Sequence, residues 1–143
     1  MSSDSIQTRF VDEIKLRAYD DRYIDKNEER EILQIAIQQG IGIDAARSDL
    51  ARVCEQNGYV LESALMAQIR TQAETSVAST GHLDRDAFDR IFTDAKAAAA
   101  GRKNDRELKK IAILVIEDAG LNRVKTGWFT DWYGAIKREL GMG

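Results

Sequence analysis

The sequence has no proline, one cysteine and one histidine. Helix interiors exclude proline, whereas turn-rich β proteins use it, so its absence points towards helices. With Cys54 alone no intramolecular disulfide can form, and a reducing, cytoplasmic setting is expected. One cysteine and His82 cannot supply a typical zinc site. No run approaches the roughly 20 apolar residues of a membrane span. Met1 to Ile6 has neither the basic start nor the apolar run of a signal peptide. There is no glycine-rich phosphate loop, because Gly40-Ile41-Gly42 lacks a third glycine and a preceding strand.

What is present suits a folded helical chain. Of 143 residues, 43% are apolar and 31% charged, enough for both a core and a solvated surface. The net charge is −3, but after Ala100 nine Lys and Arg stand against six Asp and Glu. Apolar residues recur at the helical period in seven segments. Ile6, Phe10 and Ile14 mark the first. Asp25 can cap the second, with Glu28 at the capping-box position and Ile32, Leu33, Ala36 and Ile37 on its face. Asp44 can cap a third, whose inner face is Ala46, Leu50, Val53 and Cys54. Leu61, Leu65, Ile69, Ala73 and Val77 mark the fourth. Asp84 can cap a fifth, with Phe88, Ile91, Phe92 and Ala95 inward. Asn104 and Glu107 precede a sixth, from Leu108 to Gly120, apolar nearly all round and so expected to be the most buried. Phe129, Trp132, Tyr133, Ile136 and Leu140 form the stripe of the last.

The expected fold is therefore all-α, a single-domain bundle of about seven helices over 1–143. Two halves look repeated, about 6–60 and 61–121, followed by an aromatic helix at 122–140. Tyr23-Ile24-Asp25 precedes one helix as His82-Leu83-Asp84 precedes another, roughly sixty residues later. Each is followed by a further capped helix, ending at Asn57-Gly58 and at Ala119-Gly120.

Candidate chemistry is sparse. A nucleophile needs a nearby base, yet Cys54 lies on an inward apolar face and His82 in a turn, so no enzyme activity is expected. Setting the first turn against a calcium loop puts Arg17 and Tyr19 at acidic ligand positions and Arg22 where glycine is required, while in the second Gly81 falls correctly but Ser76, Ala78, Thr80 and Ala87 hold the ligand positions. Asp21, Asp25 and Glu28 remain as candidate metal ligands, and no cofactor is expected. The most distinctive stretch is Arg123 to Tyr133, with both tryptophans and several cations. Its stripe has the spacing of a core face, but Trp128 falls off that stripe. Trp128, Arg123, Lys125 and Lys137 are the candidate partner-binding residues.

The run Tyr23-Ile24-Asp25-Lys26-Asn27-Glu28-Glu29-Arg30-Glu31-Ile32-Leu33 resembles the start of a tellurite-resistance TerB-like helical domain. Ile41-Gly42-Ile43-Asp44-Ala45-Ala46 resembles that family's turn into its next helix, and Gly81-His82-Leu83-Asp84 a second copy of the first turn. The likeness covers two turn–helix units and not the C-terminal segment. Arg22 departs from it, standing where the family commonly has glycine. The resemblance implies an all-helical fold and a stress- or membrane-associated adaptor role, with metal contact at the acidic turn.

The expected function is a non-catalytic adaptor that binds another protein. One alternative is a calcium-type metal-responsive module using residues 20–28. The other is a nucleic-acid-associated subunit using the basic C-terminal third, whose binding would fall steeply with salt.

Overall fold

The structure, a computed structural model, describes residues 3–124 and 131–143, with side chains from residue 8 onward. It is an all-α fold. Seven helices are seen among the described residues: α1 Ser3–Arg17, α2 Lys26–Gln38, α3 Ile43–Asn57, α4 Glu62–Thr80, α5 Arg85–Ala99, α6 Asp105–Asp118 and α7 Trp132–Glu139. Two short strands, β1 Tyr23–Ile24 and β2 Val60–Leu61, complete the elements. The chain divides into two compact units, residues 1–64 and 65–143, with the boundary in the first turn of α4.

In the first unit, α1, α2 and α3 enclose a core of Phe10, Ile14, Ile24, Ile32, Ala36, Leu50 and Val53. The start of α2 is fixed locally. The Glu28 backbone N–H donates to Asp25 Oδ1 at 2.8 Å, and the Asp25 N–H donates to Glu28 Oε1 at 3.3 Å, a reciprocal capping box. Ahead of it, Arg22 has φ 54, a left-handed conformation usually left to glycine. That turn lets Val60 N–H donate to the Arg22 carbonyl at 2.9 Å and brings β1 alongside β2. The strands are parallel, Tyr23 opposite Val60 and Ile24 opposite Leu61. Leu61 therefore belongs to β2 and not to the fourth helix.

Three further expectations change. Asp44 does not cap α3; Gly42 is the N-cap and makes no side-chain bond, with Asp44 inside the first turn. Ile37 is 53% exposed, because Ile32, Leu33 and Ala36 already fill the width of α2 that meets the core. On α6, Ile113 is buried but Leu114 is 53% exposed, so that helix is not covered all round.

The second unit packs α5, α6 and α7 with the remainder of α4, burying Leu65, Ile69, Phe88, Ile91, Leu108, Ile113 and Ile116. Asp84 caps α5 by accepting from Ala87 N–H at 2.7 Å, and Asn104 caps α6 by accepting from Glu107 N–H at 2.8 Å. An isolated parallel bridge joins Leu83 to Val124. The last helix is shorter than the expected 122–140. It begins at Trp132, because Asp131 caps it by accepting from Gly134 N–H at 2.9 Å. Trp132 and Tyr133 are buried, with the Trp132 ring 5.6 Å from that of Phe88.

Candidate functional site

The acidic turn proposed from sequence is a capping structure. Asp25 and Glu28 bond each other's backbone N–H groups, and Asp21 Oδ1 accepts from the Tyr23 N–H at 3.1 Å. Burial, followed by neighbouring Asp25 and Asp21, raises the Glu28 pKa, although the Asp25 N–H opposes the shift. Among the described residues, no group of three or more His, Cys, Asp or Glu side chains is placed to hold a metal ion. Asp21, Asp25 and Glu28 are therefore not gathered as a ligand set.

The C-terminal candidates are divided. Trp128 and Lys125 lie outside the described residues. Arg123 is exposed, and its carbonyl accepts from the Leu83 N–H at 2.6 Å. Lys137 is already engaged: its Nζ lies 2.6 Å from Glu117 Oε1 and 6.0 Å from the centre of the Tyr133 ring. The Tyr133 hydroxyl donates to the same carboxylate oxygen at 3.2 Å. Burial first, and Glu117 second, raise the Tyr133 pKa. Lys137 is thus paired with Glu117 on the partly exposed surface of its own unit.

Cys54 is buried, and burial raises its thiol pKa to about 11, with a smaller contribution from Glu29. The thiolate is accordingly scarce at neutral pH, which suits a structural residue.

A site that the sequence reading missed lies on the first unit. Helices α2 and α3, with β2 and the start of α4, bound a groove of about 890 Å³. Its apolar residues are Leu33, Ile37, Ile43 and Leu61. Ile37 and Ile43 are 53% and 38% exposed. Lys26, Arg30 and Arg47 also line it. None of these three cations makes an ion pair among the described residues; Arg30 is held by Asn27 Oδ1 at 2.9 Å.

Helical spacing produces this arrangement. Lys26, Arg30, Leu33 and Ile37 follow one another at i+4, i+3 and i+4 along α2, while Ile43 and Arg47 stand at i, i+4 on α3. Apolar residues therefore gather near the α2–α3 connection, and two cations lie towards the start of α2. The groove wall at α4 is held in place. Tyr23 donates its hydroxyl to Glu62, Lys26 N–H donates to Glu62 Oε1 at 3.4 Å, and the Ser63 hydroxyl donates to Glu29 Oε1 at 3.0 Å. In sequence the only signal was Ile37, one apolar position more than the core-facing stripe of α2 requires.

The chain matches no protein-family model, no curated protein and no solved structure. No helix among the described residues is long and apolar enough to cross a membrane.

Proposed function

We propose that this chain is a non-catalytic adaptor module that receives a segment of another protein in the groove between α2 and α3. The observation that carries this reading is Ile37. It is a large apolar side chain more than half exposed on an otherwise amphipathic helix, beside the partly open Ile43. Isolated exposed apolar residues are ordinary, but apolar side chains grouped in a concave surface beside cations that make no ion pair among the described residues have the anatomy of a docking site. Leu33 and Leu61 extend the apolar floor beneath them. This placement differs from the C-terminal edge, where Lys137 is committed to Glu117.

A photo-crosslinking amino acid at Gln34, which lines the groove, tests the proposal in the full chain in host cells, with one at Arg85 on α5 as control. A discrete protein adduct from position 34 and none from position 85 is expected. Absence of an adduct at 34, or the same adducts from both positions, would overturn it.

A further inference from the structure

Resting on that docking reading, we infer that the occupant of the groove is an acidic amphipathic helix, with an apolar face on Leu33, Ile37, Ile43 and Leu61 and carboxylates towards Lys26, Arg30 and Arg47. Charge distribution carries the inference. The first unit, residues 1–64, is acidic, with eight Lys and Arg against thirteen Asp and Glu. Three of those eight cations line the groove, but only one of the thirteen acids, Glu29, does so. A cationic groove has thus been set into an anionic body. The surrounding acids repel a basic partner, and the groove itself attracts an acidic one.

The helical form follows from the groove's walls. Its floor is mainly side chains of two helices, whose backbone groups already bond within each helix. The one strand at the groove, β2, is two residues long and paired to β1 on one side, too short an edge to hold an extended peptide, so the occupant satisfies its own backbone. From Lys26 to Ile37 the helical rise spans roughly 16 Å, which accommodates about three turns. Apolar anchors at i, i+3 or i+4, and i+7 would reach the floor from one face. The floor has no aromatic ring on which a nucleic-acid base could stack. Its openness at Ile37 and Ile43 is unlike the enclosure that a small ligand needs.

Fluorescence anisotropy with three labelled 15-residue amphipathic peptides tests the inference on the full chain. All three share a leucine face; their polar faces carry Glu, the isosteric Gln, or Lys. The Glu peptide should bind at 50 mM salt and weaken at 200 mM, and the Gln peptide should bind ~10-fold less tightly through loss of the rim ion pairs. In R30E/R47E the preference should reverse, with the Lys peptide binding and the Glu peptide losing affinity. Ile37→Ser should weaken every peptide, and Arg85→Glu none. Circular dichroism after each substitution confirms that the helices persist.

Equal binding of Glu and Gln peptides, with no reversal in R30E/R47E, would overturn the acidic occupant but leave the groove as a docking site. No peptide binding together with a silent crosslinker at position 34 would overturn both. Binding of anionic phosphatidylserine vesicles or of single-stranded RNA in place of the peptides would overturn the inference. So would self-association in sedimentation that Ile37→Ser abolishes, which would make a second copy the occupant.

Discussion

Two isoleucines five positions apart on α2 should respond very differently to truncation. Ile32 is fully buried among Phe10, Ile14 and Leu50, while Ile37 is 53% exposed over the groove. Ile32→Ala removes buried methyl groups and leaves a cavity, at a cost of about 2–5 kcal/mol. At Ile37 about half of the side chain is already in water, so the lost transfer energy is about 1 kcal/mol. Alanine's better helix propensity returns up to ~0.7 kcal/mol of that. The net cost of Ile37→Ala should therefore lie between about 0 and 1 kcal/mol. Urea unfolding followed by far-UV circular dichroism measures both, fitting separate transitions if the two units unfold separately. Equal losses, or more than about 2 kcal/mol at Ile37, would show that this side chain is covered within the folded chain. The open floor of the groove, and the reason for calling it a docking surface, would then be gone.

Other predictions concern local structure. Asp25→Ala should cost about 1 kcal/mol through loss of the α2 cap. Glu28→Gln should be neutral or slightly stabilising near pH 7 in the same assay: the folded state raises the Glu28 pKa, so its ionised form is held at a cost, and Gln can still accept from the Asp25 N–H. Cys54 should resist a thiol-specific reagent at pH 8 until urea unfolds the first unit. Its pKa rises from 9.0 to about 11 on folding, so its contribution is complete below pH 9. That contribution is lost as pH rises to about 11, by ~2–3 kcal/mol, and Cys54→Ala should flatten that part of the stability profile. Gly58 ends α3 at φ 69. Gly58→Ala should cost about 1 kcal/mol in thermal or urea unfolding, although the added Cβ meets open space.

The helices were legible because each carries a local signature. The boundaries at Asp25, Asp84 and Asn104 follow from side chains that bond the next turn's N–H groups, an interaction complete within four residues. The inward faces of α3 and α5 followed from spacing. What could not be read depended on distant partners. Nothing in Val60-Leu61 announces a pairing with Tyr23-Ile24, since a two-residue strand has no period of its own. Ile37 and Leu114 have the hydropathy of core residues, and only packed neighbours reveal their exposure. The groove was hidden for the same reason: its cations and apolar residues come from three elements, and no single stretch of sequence contains the pattern. At the acidic turn the residue types alone do not separate two readings, because a capping box and a ligand loop both require carboxylates beside a helix start.

The most direct measurement of the docking claim is amide chemical-shift mapping by NMR, titrating the Glu-faced amphipathic peptide into isotope-labelled full-length protein. The account predicts saturable shifts concentrated at Lys26, Arg30, Leu33, Ile37, Ile43 and Arg47, with α5 and α6 unmoved. Shifts confined to the residues around Arg123 and Lys137, or no saturable shifts at all, would contradict it.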